Sequence, residues 1–208
     1  MLLADIGNSF AHLYSNGKIE NLDINSLIKK YKDKKLYYIN VNPRFKELLA
    51  TQKNWINLEE YVSLENSYPE MGIDRKVLLL SRGDGIYVDA GSAITIDKKE
   101  NNRFIGGTII PGIKALKEAY SLISPKLKIE KLDRVNLDEL PNYSTKESIS
   151  YGIIAPIIAL IKTINSSNLP IYCCGGDGEL ILEYLDNATY NRALIFEGMK
   201  KVIKENLC

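Results

Sequence analysis

Short apolar runs broken by small polar turns organise this chain. Residues 1–6 read as a buried-type strand, Gly7-Asn8-Ser9 as a turn and residues 10–14 as the return strand. Asn16-Gly17, the dipeptide favoured in two-residue hairpin loops, follows. Residues 36–41 (LYYINV) and 55–58 are further strands, with helices predicted over 24–31 and 43–50 and an apolar helix ending near Leu80. Residues 87–95 (YVDAGSAIT) repeat the strand–turn–strand pattern. A short strand framed by Gly106-Gly107 and Pro111-Gly112 leads to an amphipathic helix with Ile113, Leu116, Tyr120 and Ile123 on one face. Ser144 and Glu147 have capping-box spacing and open a helix over about 146–164, bent at Pro156. Its apolar residues nearly encircle it, which suits a buried helix or an oligomer contact. Residues 171–174 form a strand entering Gly175-Gly176-Asp177-Gly178, then a helix over 179–185, and residues 196–205 a closing helix. Strands alternating with helices point to an α/β fold.

The 208 residues, 45% apolar and 25% charged, suffice for one large domain or two small ones with a buried core. A net charge of +1 argues against an extended nucleic-acid surface. No apolar run is expected to reach the roughly 18 residues that span a bilayer, and the chain opens directly into a strand-like segment rather than a leader. A cytoplasmic protein is the expectation. The 3 cysteines include the adjacent Cys173 and Cys174, which read as a buried reduced pair rather than a disulfide or zinc framework. The 1 histidine, His12, lacks a triad context, so acid–base work falls mainly to carboxylates.

Two stretches echo each other: Asp5-Ile6-Gly7-Asn8-Ser9 and Asp89-Ala90-Gly91-Ser92. One Asp-x-Gly turn alone is a plain hairpin turn; two imply an internal duplication, each turn offering N–H groups and a hydroxyl to one point. Gly72-Ile73-Asp74-Arg75 sits just ahead of the second copy. Locally Asp74 reads as a helix N-cap and Arg75 as a solvated charge. Gly106-Gly107 and Pro111-Gly112 are either packing constraints or places where backbone meets a ligand. Gly175-Gly176 at a strand–helix junction suits a nucleotide lying on bare backbone, although neither a Walker A loop nor a GxGxxG pattern is present.

In order, Asp5-x-Gly-Asn-Ser, Gly72-x-Asp74-Arg75, Asp89-x-Gly-Ser, Gly106-Gly107…Pro111-Gly112, Thr145…Gly152 and Gly175-Gly176-Asp177 resemble the type III pantothenate kinases over essentially the whole chain. These belong to the acetate/sugar kinase–Hsp70–actin superfamily. The resemblance implies a duplicated ribonuclease H-like (actin-like ATPase) α/β fold, with mixed sheets in two lobes around a central cleft. One lobe would span 1–83, with the terminal helix 196–208 packing on it, and the other 84–195. It implies ATP, with Mg²⁺, on Asp5, Ile6, Gly7, Asn8, Ser9, Phe10, Ala11, His12, Ser92, Gly175 and Gly176. A monovalent cation, K⁺ or NH₄⁺, would fall on Asp89. Pantothenate would meet Tyr68, Gly72, Ile73, Asp74, Arg75 and Thr145, with Asp74 as general base. A homodimer is implied as well, with no nucleic-acid or membrane partner. Three departures stand out: Ser92 replaces a commoner threonine, Phe10-Ala11-His12 lacks a frequent basic residue, and loops around 51–70 are trimmed.

The implied activity is ATP-dependent phosphorylation of pantothenate to 4′-phosphopantothenate, the first step of coenzyme A synthesis. The rivals are a kinase of another small hydroxylated substrate and a non-catalytic nucleotide-binding regulatory or accessory protein.

Overall fold

A computed structural model of the chain describes residues 1–8 and 10–207. The backbone divides into two compact units, one of residues 1–83, 101–104 and 193–208, the other of residues 84–100 and 105–192.

In the first unit the elements are β1 (Leu2–Ile6), β2 (Ala11–Ser15), β3 (Lys18–Leu22), α1 (Ile24–Tyr31), β4 (Leu36–Asn40), α2 (Lys46–Ala50), β5 (Trp55–Asn57), α3 (Ile73–Leu80) and the C-terminal helix Leu194–Asn206. Asn16 and Gly17 both take left-handed φ, +49° and +82°, as the tight β2–β3 hairpin requires. A 3₁₀ turn at Pro43–Phe45 starts the helix predicted as one piece over 43–50. The sheet order is β3-β2-β1-β4-β5, with β1 antiparallel to β2 and parallel to β4. Both faces of the central strands are covered, which explains why β4 reads as a continuous apolar run. Leu3, Ile39, Leu58, Ile73, Val77, Phe196 and Met199 fill one side; Ala4, Ile6, Leu13, Leu27, Leu36 and Trp55 fill the other.

The second unit contains β6 (Gly85–Ala90), β7 (Ala93–Glu100), β8 (Arg103–Pro111), α4 (Ile113–Ile123), α5 (Thr145–Ile164), β9 (Ile171–Cys174), α6 (Gly178–Leu182) and β10 (Ala188–Tyr190). Its sheet runs β8-β7-β6-β9-β10, with β6 antiparallel to β7 and parallel to β9. Strand for strand this is the order of the first sheet, so the two Asp-x-Gly turns do mark a duplicated fold. One core holds Ile86, Val88, Ile94, Ile96 and Ile171 from the sheet against Ile149, Ile153, Ile157 and Ile161 of α5.

Several expectations need correction. Helix α5 is long and apolar enough, by length and composition, to cross a membrane. Ile149, Ile153, Ile154, Ile157, Ile158 and Ile161 are buried in the core of the second unit, which accounts for that composition. Pro156 lies inside α5, and the polar positions Lys146, Ser148, Lys162 and Thr163 keep that helix from being apolar all round. Ile123, predicted on the inner face of α4, is 74% exposed because the helix ends there and the chain turns away at Ser124. Helix α6 stops at Leu182, short of the predicted 185. Strand β10 was not foreseen: three residues show no periodicity, and only parallel pairing with β9 makes them a strand.

Gly198 of the C-terminal helix lies so close to α3 that a Cβ there would collide with the Val77 carbonyl. Gly198→Ala should therefore lower unfolding stability by about 1–3 kcal/mol in a urea titration, the usual cost of overpacking. An unchanged midpoint would mean the two helices can separate without cost.

Candidate active site

Both turns at the strand ends are closed by a bond from the glycine N–H, to the carbonyl three residues on in the first and two residues on in the second. Gly7 N–H donates to Phe10 O at 3.0 Å, and Gly91 N–H donates to Ala93 O at 3.0 Å. These two glycine N–H groups are therefore used inside their own turns, contrary to the expectation that each would be offered outward. Within the first hairpin, Ile6 and Ala11 are 1% and 2% exposed and point into the core, so they can meet a ligand only through backbone. Asn8, Phe10 and, in the second turn, Ser92 are exposed, and Ser9 lies outside the described residues. Asp5 stands opposite His12 in the β1–β2 register. Asn21 Oδ1 lies 2.8 Å from His12 Nδ1; when Nδ1 carries the proton, Nε2 is left as the acceptor of the neutral ring.

The pantothenate residues expected in the first unit are brought together around the start of α3. Gly72, not Asp74, is the N-cap, so Asp74 is a first-turn residue and the capping reading is corrected. Arg75 N–H donates to Asp74 Oδ1 at 2.8 Å, and a Cβ on Gly72 would collide with the same carboxylate. Arg75 is no solvated charge: it is 6% exposed, and its Nη1 donates to Tyr68 Oη at 2.7 Å. Tyr68 also packs against Phe104, the ring centroids 6.1 Å apart. Ile73 is buried in the core with Val77, so its side chain anchors the helix and leaves only its backbone for a ligand. Burial pushes the Asp74 carboxyl above the usual carboxylate range, against the opposing pull of the Arg75 N–H and its positive charge. A carboxylate held this way is a better proton acceptor than a solvated one.

In the second unit a cluster forms at the end of β6. Gly175 has φ +82°, and a Cβ there would stand 2.6 Å from Asp89 Oδ1 and collide with the Ala90 carbonyl. Only a glycine permits that approach. Asp177 N–H donates to Ala90 O at 2.9 Å, and Tyr190 Oη donates to Gly175 O at 3.1 Å, tying the glycine junction to the strand end. Above Gly176 a Cβ would meet nothing within 4 Å, which leaves the open backbone a flat nucleotide needs. Gly112 N–H donates to Ser92 O at 3.1 Å, and a Cβ on Gly112 would stand 2.6 Å from that oxygen. Gly107 is likewise crowded by the buried Asp97. Gly107 and Gly112 are thus packing constraints.

Thr145 is exposed as the first residue of α5. Ser144 Oγ caps that helix, accepting from Glu147 N–H at 3.1 Å, while Glu147 Oε2 accepts from Tyr143 N–H at 3.2 Å. A cavity of about 610 Å³ opens there, lined by Lys126, Lys128, Lys131 and Lys146 with Glu130 beside Thr145; Lys128 pairs with Glu130 and Lys146 with Asp133. Cys173 and Cys174 are buried and not joined in a disulfide, and burial pushes Cys173 up to about 12, so it is inert as a nucleophile. Among the described residues, no group of three or more His, Cys, Asp or Glu side chains could hold a metal ion.

A sequence profile of the type III pantothenate kinase family matches residues 39–167. The type III pantothenate kinase of Campylobacter jejuni is 46% identical over 206 residues, covering 99% of this chain and 98% of its own. The chain belongs to the type III pantothenate kinase family. A solved structure from Campylobacter jejuni, described as a conserved candidate Baf family transcriptional activator, superposes with a TM-score of 0.88 at 44% identity, covering 99% of this chain and 98% of that one. A candidate 2-dehydro-3-deoxygalactonokinase from Sinorhizobium meliloti, at 10% identity and TM-score 0.54 over 99% of both chains, shares the fold alone. This is the duplicated ribonuclease H-like fold of the actin-like ATPases and sugar kinases.

In this kinase the buried carboxyl of Asp74 makes a stability prediction with a definite sign. Its folded pKa lies above the ordinary carboxylate value, so the folded state holds the proton more tightly than the unfolded chain. Ionising Asp74 therefore costs stability as pH rises from the unfolded pKa through the raised folded one. Thermal melts should show Asp74→Asn more stable than the native chain at neutral pH, with the gap closing in acid. A less stable variant at neutral pH would contradict the desolvated carboxylate.

Proposed function

We infer that this protein transfers the γ-phosphoryl group of ATP to the primary hydroxyl of pantothenate, giving 4′-phosphopantothenate in the first step of coenzyme A synthesis. The observation that carries the residue roles is the partly buried Asp74 carboxylate, oriented by Arg75 N–H beside the Arg75–Tyr68 hydrogen bond. Asp74 accepts the hydroxyl proton as the oxygen attacks phosphorus. Arg75 donates to the Tyr68 hydroxyl, and its positive charge acts on the base. Tyr68, Gly72, the Ile73 backbone and Thr145 are the further residues assigned to pantothenate.

Asp5 through His12 and Ser92 serve the phosphates of ATP, Ile6 and Ala11 through backbone alone. Gly175 and Gly176 serve the adenosine, for which the open space over Gly176 speaks. ATP supplies the phosphoryl group, and the Mg²⁺ entering with it would neutralise part of the phosphate charge. Asp89 holds a monovalent cation, K⁺ or NH₄⁺, for which a carboxylate oxygen is a suitable hard ligand. The two compact units act as the two lobes of the enzyme, the protein works as a homodimer in the cytoplasm, and neither nucleic acid nor membrane is a partner.

A second reading, a nucleotide-binding regulator without turnover, is favoured by the description of the Campylobacter jejuni structure as a transcriptional activator. A product assay separates the two. Purified protein with ATP, Mg²⁺ and K⁺ should convert pantothenate, and not sugars or short hydroxy acids, to its 4′-phosphate. Asp74→Asn should lower kcat by about 10²–10⁴, the range for loss of a general base. Tight ATP binding with no product from the native chain would instead establish the regulator; phosphorylation of the other acceptors alone would establish a different kinase.

A further inference from the structure

One buried polar atom at the cluster ending β6 has no role in the reaction so far described. Thr95 Oγ1 is buried with no hydrogen-bond partner among the described residues. Such a hydroxyl costs roughly 1–3 kcal/mol when left unsatisfied, so a position that keeps one asks for a ligand. Thr95 lies directly opposite Asp89 in the β6–β7 register. Paired residues of an antiparallel ladder share a face, with Cβ atoms about 4.5–5.5 Å apart. Despite that neighbour, the Thr95 hydroxyl donates to no carboxylate. The two side chains thus share one face of the sheet without a hydrogen bond from the Thr95 hydroxyl.

We propose that Thr95 is a ligand of the monovalent cation, its hydroxyl oxygen facing the Asp89 carboxylate across the ion. This rests on the assignment of the cation to Asp89. The donor set has the right chemistry. A hard cation takes oxygen ligands, and a carboxylate with a neutral hydroxyl leaves a net charge suited to a single positive charge. Gly175 closes the carboxylate side, since a Cβ there would stand 2.6 Å from Asp89 Oδ1. The first hairpin shows what is special to the second. Its equivalent of Thr95 is His12, cross-strand from Asp5, and that imidazole is engaged by Asn21. The duplicated frame therefore carries an uncommitted oxygen at only one of these two positions.

The test compares Thr95→Val, which keeps the shape and removes the hydroxyl, with Thr95→Ser, which keeps the hydroxyl. Thermal melts would be run in KCl and in choline chloride at equal ionic strength, with and without a non-hydrolysable ATP analogue and Mg²⁺. Native protein and Thr95→Ser should gain Tm in KCl over choline, with K⁺ midpoints agreeing within about threefold, less than the loss of a bond to a charged group would cause. Thr95→Val should shift the midpoint at least about tenfold. In choline the sign should reverse: Thr95→Val should be as stable as the native chain or more so, because the orphaned hydroxyl has gone. An unshifted K⁺ midpoint in Thr95→Val, with the effect lost in Asp89→Asn, would overturn Thr95 as a ligand and leave Asp89 standing. No K⁺-specific gain in the native protein would overturn the Asp89 assignment itself and this proposal with it.

Discussion

The central strand of each sheet is clamped on both sides, and the chemistry depends on where that clamp ends. β1 lies between antiparallel β2 and parallel β4, and β6 between antiparallel β7 and parallel β9. A strand hydrogen-bonded along both edges cannot slip register without turning its core side chains outward. The aspartate one residue before each strand end, Asp5 or Asp89, is therefore fixed in height and face. The glycine N–H bond inside each turn then fixes the exit of the chain. Duplication supplies two such fixed carboxylates from one structural idea, and sequence drift around them has given the two copies different neighbours.

Those neighbours divide the work. In the first unit α3 starts with a bare N-cap at Gly72, which lets the Asp74 carboxylate fold back toward the backbone, where Arg75 N–H meets it. Arg75 is buried and linked to Tyr68, so the charge beside Asp74 has a defined position rather than a solvated one. In the second unit the glycine junction after β9 rests on the end of β6, and the open backbone at Gly176 continues the same surface. Fixed donors and charges of this kind are what electrostatic catalysis of phosphoryl transfer asks of a protein.

Much of this was legible in the sequence, and the reasons are local. The turns, the Asn16-Gly17 hairpin and the Ser144–Glu147 cap are written in residues a few positions apart, and the structure has them. The repeated Asp-x-Gly turn gave the duplication away because its copies keep the same spacing. What could not be read depends on pairing between distant segments. β10 exists through β9, the burial of Arg75 through Tyr68 and the packed core, and the face-to-face placement of Asp89 and Thr95 through the hairpin register. Glycines at 107 and 112 looked equally suited to packing or to ligands, and only the atoms opposite them decide. Asp74 as a cap failed for a related reason: a cap is defined by backbone angles, and Gly72 takes that place.

The central claim is that Asp74, desolvated and held by Arg75 N–H, is the base of a pantothenate kinase. The most direct measurement is the pH profile of kcat/KM for pantothenate with the native chain and with Asp74→Asn. The account predicts an acidic limb above the ordinary carboxylate range in the native chain, absent from the residual activity of the variant. A limb of the same position in both would assign the proton transfer to another group and contradict the account.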